Sequence, residues 1–374
     1  MILGFESTIL LYFTLAGLFR LLWGFSKTAA LVILTLAGAI FIFTLNAALF
    51  AYMCAQIIGV LFLRALCVAF PKQARPISWL AFLGLIPFNL QLWFGDHPII
   101  ADSVALIRGD INATVAWTAG ATFFVIKSFV SLREAILEKR LRILPMLAGL
   151  TFVPAFPAGP IYGTQPFRPD KIADRLDFKD LINSVFQIGW GAAAFYVIAP
   201  ALRYLIEMTP DTPLGIGADI YLGLAALYFD FSGYTWMALA LASWFGVKLP
   251  PNFNRPFLAT SIQNFWQRWH MSLSAFVSTY LYKPFVRSTG SPRLGIFLAF
   301  SVVGLWHELS LGYLLWGLGH GAALSLAMKP PAIWTNSMGK LPRWLALAIG
   351  WVLTMSWVAL LSYIAASPSL KAHQ

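Results

Sequence analysis

Apolar residues run along this chain in long stretches, at about 8–25, 28–46, 48–70, 77–94, 113–131, 143–161, 181–206, 219–246, 272–286, 294–328 and 343–366, separated by short segments that carry the charge. A helix needs about twenty apolar residues to cross about 30 Å of hydrocarbon, and it satisfies every backbone polar group on the way. The pattern predicts an all-α, polytopic membrane protein. As one helix the stretch 28–70 would be about 65 Å long, so it is predicted to fold into two. At about 50 Å, 294–328 should also break, at Ser310-Leu311-Gly312. On a continuous helix His307 and His320 would point to nearly opposite faces; with a break there they can face one cavity. The run 143–161 holds Pro145, Pro154, Pro157 and Pro160, which interrupt helical hydrogen bonding. A re-entrant segment around residues 156–161 follows, because irregular backbone at membrane depth must be buried in protein or line a cavity. With no repeat, low-complexity tract or linker, residues 1–374 read as a single integral domain.

Composition agrees: 59% of the 374 residues are apolar and 11% charged. The net charge of +11 raises the question of nucleic acid. The basic residues, however, sit in short loops between apolar runs, which is the pattern that orients membrane proteins, and nucleic-acid binding is excluded on that ground. Arg20 with Lys27, Lys72 with Arg75, the group Arg133, Lys139, Arg140 and Arg142, Lys248 with Arg255, and Lys283, Arg287 and Arg293 are expected to face the cytoplasm. Segments 95–112 and 207–219, which carry Asp96, Asp102, Asp110, Glu207, Asp211 and Asp219 with Arg108, fit the opposite side. Alternating spans reconcile these assignments only if 143–161 enters and leaves on the cytoplasmic side. The start, MILGFESTIL, lacks the basic region of a cleavable signal, so the first run is expected to be retained as a helix. Cys54 and Cys67 lie within apolar runs and read as core residues.

The chemistry concentrates between Tyr228 and Gly321, where three of the five histidines fall, at His270, His307 and His320. Polar groups in hydrocarbon are costly unless paired, solvated in a cavity or functional. A buried neutral imidazole, with an ordinary pKa of about 6.5, can take a proton from a hydroxyl near neutral pH, and it can equally be a packed core residue. Asp230, Lys127 and Arg203 are read as members of structural ion pairs. Arg255, in PPNFNRPF, either holds a phosphate of a donor such as a coenzyme A thioester or anchors a loop at headgroups. His97 and His373 fall in loops. There is no metal-ligand cluster and no Gly-rich phosphate loop, so neither a metal nor nucleotide hydrolysis is inferred. A transporter or flippase, the rival class, predicts an internal repeat that the chain lacks.

The blocks FVPAFPAGPI, YFDFSGYTWMALALASWFGVKLPPNFNRPF, FWQRWHMSLSAFVSTYLYKP and GLWHELSLGYLLWGLGHG, in that order over about residues 150–325, resemble the membrane-bound O-acyltransferase (MBOAT) family, most of all its bacterial branch. That branch includes the membrane components of alginate acetylation and of teichoic-acid D-alanylation. The chain reads Trp306-His307-Glu308 where many bacterial members read Trp-His-Gly; His-Glu is similar to the sterol and diacylglycerol branch. The resemblance implies about ten or eleven transmembrane or re-entrant helices around a central tunnel. It makes His307 the catalytic histidine and His270 a second active-site residue. Asn254, Arg255, Trp266, Arg268, Trp269, Trp306, Glu308 and His320 fall to substrate contacts, with His320 also read as a hydrogen bond between helices. The implied donor is an acyl thioester, acetyl-CoA or an acyl carrier protein, with no tightly bound cofactor. The implied acceptor is a hydroxyl of an envelope polysaccharide, with D-alanylation as the alternative to acetylation. Membrane lipid and envelope-polysaccharide modification proteins are the expected partners, and a bacterial inner membrane the expected location. A catalytically silent assembly protein is a third possibility. A polar-walled passage is expected to narrow near His307, with Asn254, Arg255 and Trp266 towards its cytoplasmic mouth.

Overall fold

The computed structural model describes residues 5–45, 47–85, 114–210, 212–307 and 310–366, and among them every regular element is helical. Six of these helices are long and apolar enough to cross a membrane. Large apolar side chains such as Leu21, Ile58, Phe62, Phe186, Val197 and Leu353 face outward. That arrangement suits a protein whose solvent is lipid. The acidic segment 95–112, with Asp96, Asp102, Arg108 and Asp110, lies outside the described residues, as do Asp211, Glu308, His97 and His373. The chain forms two compact units, Met1–Gly191 with Tyr234–Pro250, and Ala192–Gly233 with Pro251–Gln374.

In the first unit the described helices are α1 (Phe5–Phe25), α2 (Lys27–Leu45), α3 (Ala47–Ala69), α4 (Ala74–Trp79), α5 (Thr114–Leu137), α6 (Ile143–Leu150) and most of α7 (Phe178–Ala193). The long run 28–70 is divided, as its length required, into α2 and α3. The core gathers Phe19, Phe152, Phe167 and Phe245. Phe152 lies 5.2 Å from Phe167 and 5.6 Å from Phe245 between ring centroids.

The proline-rich run 143–161 forms no helix of membrane-spanning length. Helix α6 has eight residues, about 12 Å, followed by a single 3-10 turn at Val153–Ala155 and irregular chain. The freed backbone groups find partners inside the unit. The Lys127 ammonium donates to the Ala155 carbonyl, the Tyr234 hydroxyl to Pro154 at 2.9 Å and the Tyr162 hydroxyl to Gly149 at 3.0 Å. The Thr164 N–H donates to Glu134 at 2.7 Å. Both ends of the excursion meet at Glu138, which accepts from Arg168 at 3.1 Å and from Gln165 at 2.9 Å. Lys127 therefore departs from the ion pair expected of it: its partners are a carbonyl and the Tyr162 ring, 4.6 Å away. A non-helical turn leaves carbonyls without donors, and an ammonium supplies three.

The second unit begins with a π-helical turn at Ala194–Ile198 and α8 (Ala199–Glu207), then takes α9 (Pro213–Trp244) as far as Gly233. Short helices α10 (Ile262–Trp266) and α11 (Met271–Phe276) follow, then a π segment at Val277–Tyr282, α12 (Lys283–Thr289), α13 (Pro292–His307), α14 (Leu311–Met328), α15 (Ala332–Gly339) and α16 (Arg343–Ala366). Arg203 and Asp230 form the ion pair expected of them, at 2.9 Å. Helices α13 and α14 make a tight antiparallel hairpin because glycine lines their contact. A Cβ on Gly304 would strike the Tyr313 carbonyl, and one on Gly321 would lie 2.9 Å from the Phe297 carbonyl. Small residues bring helix backbones this close inside membranes. The break includes Ser310, the first residue of the position anticipated. Ser310 caps α14, accepting from the Tyr313 N–H at 3.4 Å, and Gly312 lies inside the helix against carbonyls near the end of α16.

Candidate active site

A cavity of about 490 Å³ lies within the second unit, and His270, His307 and His320 all line it. Each histidine reaches it for a different local reason. His307 is the last described residue of α13, its side chain exposed on the cavity wall beside Tyr313, with ring centroids 5.5 Å apart. His320 comes from α14, one turn beyond Trp316, and is 1% exposed. Trp316 stands between the two, 5.3 Å from His307 and 4.7 Å from His320. The indole N–H of Trp266 donates to His320 Nδ1 at 3.4 Å, which places the proton of the neutral imidazole on Nε2. His320 thus joins α10 to α14, the link between helices that its sequence position suggested.

His270 sits in a chain reversal. A single helix through 266–270 would put Trp266 and His270 on one face, but α10 ends at Trp266 and His270 has φ 42° and ψ 55°. A non-glycine residue in this left-handed region costs about 1 kcal/mol or more. Bonds around it hold the reversal. Met271 N–H donates to the Asn252 carbonyl at 2.8 Å, Ser272 Oγ to Asn252 Oδ1 at 2.5 Å, and the His270 carbonyl accepts from Ser274 at 3.0 Å. The imidazole, 4% exposed, packs edge-on to Phe231 at 4.8 Å. Trp269 is buried beside it, stacked on Phe265 at 5.4 Å.

Trp266 and Trp269 also line the cavity, whereas Asn254, Arg255, Arg268 and Trp306 do not. Asn254 and Arg255 are exposed. The Asn254 N–H donates to the Arg268 carbonyl at 2.9 Å, and Arg268 donates to the Asn264 side chain at 3.1 Å. These residues lock the loop that carries His270. Trp306 flanks His307 at 4.7 Å. A second cavity, of about 320 Å³, shares Trp266 and Leu273 with the first. The walls are more aromatic than the polar passage anticipated. Tyr313, Trp316 and Phe231 belong to the main cavity and were not singled out from sequence, and Asp219, read there only as an acidic residue away from the cytoplasm, belongs to it too. Their spacing carried the signal: 313, 316 and 320 share one face of α14, and 219, 223, 227 and 231 form one row along α9.

Regular elements that are all helical among the described residues, several of them of membrane length, with an internal cavity lined by histidines, describe an integral membrane protein. Residues 218–366 match the model of MBOAT, the membrane-bound O-acyltransferase family, and this part of the chain is a domain of that family. The chain is 31% identical over 222 residues to a peptidoglycan O-acetyltransferase of Helicobacter pylori, across 56% of this chain and 41% of that protein. It is 30% identical over 222 residues to a teichoic acid D-alanyltransferase of Bacillus subtilis, across 54% and 56%. To a probable alginate O-acetylase AlgI of Pseudomonas aeruginosa it is 37% identical over 148 residues, across 36% and 28%. The chain thus spans about half, or less, of the length of these relatives.

Proposed function

We propose that the chain is an O-acyltransferase of a bacterial inner membrane, moving an acetyl group from a cytoplasmic thioester, acetyl-CoA or an acyl carrier protein, to a hydroxyl of an extracytoplasmic envelope polysaccharide. The observation that carries this reading is the exposed His307 imidazole on the wall of a cavity it shares with His270 and His320. In the proposed reaction the acceptor oxygen attacks the thioester carbonyl carbon while its proton passes to His307. The tetrahedral intermediate collapses, the C–S bond breaks, and the departing thiolate takes the proton back as a thiol. His270 orients the acceptor or the His307 ring. His307 lies fifteen residues along α13 from Pro292, about 22 Å, so a donor entering where α13 begins needs a passage through the protein. The cavity beyond Trp266 supports such a route. Envelope-polysaccharide modification proteins are the partners this reading implies.

D-alanyl transfer to a teichoic-acid-like polymer is the second reading, favoured by the match to the Bacillus subtilis protein. Mass spectrometry of envelope glycans from cells with and without the gene separates the two. His307→Ala is expected to abolish transfer while the protein still inserts and elutes as a folded species. Near-wild-type transfer by that variant would instead favour a transporter or a silent assembly protein.

A further inference from the structure

Asp219 has no part in the mechanism above, yet it lines the same cavity, and its Oδ1 is buried with no hydrogen-bond partner among the described residues. A buried carboxylate oxygen without a donor is costly, and the surrounding wall is largely aliphatic and aromatic. Its place follows from the register of the helices. Helices α9 and α16 run antiparallel: Tyr228 packs on Phe257 at 4.8 Å and Trp351 donates to the Phe257 carbonyl at 2.6 Å, whereas further along both helices Tyr221 meets Ser356 at 2.7 Å. Asp219 lies beyond Tyr221, towards the C-terminal end of α16. The same end receives Gly312, which packs against the Ile364 and Ala365 carbonyls, and Tyr313, the neighbour of His307. Asp219 and His307 therefore enter the cavity from different walls towards that end, and His270, against Phe231 three turns down α9, lies deeper, within electrostatic reach of His307.

We propose that Asp219 positions the acyl acceptor: it accepts a hydrogen bond from a hydroxyl next to the one that His307 deprotonates, so that the substrate is a polyhydroxylated molecule held at two adjacent oxygens. This rests on the acyl-transfer reading. A carboxylate suits the task because it is acceptor-only when ionised, and bonds to charged acceptors are the stronger ones. Asparagine keeps one acceptor oxygen at that place; leucine keeps none.

The full-length protein in detergent is assayed with acetyl-CoA and methyl β-glucopyranoside as probe acceptor, following acetyl glycoside and free CoA separately. Asp219→Leu is expected to raise the KM for the glycoside about tenfold, the factor lost with one hydrogen bond to a charged group. CoA release to water should persist, and Asp219→Asn should recover most of the loss. An unchanged glycoside KM, a rise confined to the KM for the donor, or loss of the CoA release measured without glycoside, where water takes the acetyl group, overturns the proposal. Glycoside binding by saturation-transfer NMR in the His307→Ala background gives a readout free of the donor. Binding that Asp219→Leu leaves unchanged also overturns it. A wild-type protein that binds the glycoside through Asp219 but releases no CoA sinks the proposed function and not this site.

Discussion

Single side chains here do work that their identity alone does not reveal. The three histidines are indistinguishable as letters, yet His307 presents its ring to open cavity, His320 accepts from an indole, and His270 occupies a left-handed turn. Replacing His320 with alanine leaves the Trp266 N–H buried without its acceptor, a cost of about 1–3 kcal/mol. A lower thermal midpoint in detergent is expected, with transfer by the surviving folded protein reduced less than in His307→Ala; equal losses would make His320 part of the chemistry. His270→Ala should reduce transfer strongly without abolishing it. His270→Asn tests the backbone separately, because asparagine adopts φ near 42° more readily than alanine. That His307 and His320 belong to one site was legible once the run 294–328 was judged too long for one helix. The reversal at His270 was not legible, because it depends on bonds to Asn252 from a segment that no local periodicity connects to it.

Among the elements, the hairpin of α13 and α14 sets the height of His307. Its glycines admit backbone contact, so Gly304→Leu should overpack the seam at a cost of about 1–3 kcal/mol and shift the histidine. Thermal unfolding and transfer rate are both expected to fall. Val302→Leu, whose side chain faces outward, should change neither. Span lengths were readable because hydrocarbon thickness is a strict ruler, and this is why α2 and α3, and α13 and α14, divide where length demanded. Wall composition was less readable. A row such as 219, 223, 227 and 231 looks the same whether it faces lipid, a neighbouring helix or a cavity.

For the molecule as a whole, the two units place their polar residues differently: the first spends Lys127 and Glu134 on a proline-rich turn, the second gathers histidines around open space. Cysteine labelling, with Cys54 and Cys67 replaced, is expected to find positions near Arg140 and near Lys171 accessible from the same side of the membrane. Labelling from opposite sides would make 143–161 a crossing. The direct bond between Glu138 and Arg168 is the reason for the expectation, since a 3.1 Å contact cannot straddle a bilayer. That latch has a consequence for parity. A segment that departs and returns at one point contributes an even number of crossings, namely none, so it can lengthen, shorten or change its prolines without inverting anything downstream. On that expectation the histidine-bearing half keeps its orientation whatever happens inside the excursion, and the proline-rich turn is free to vary in ways that a true span is not.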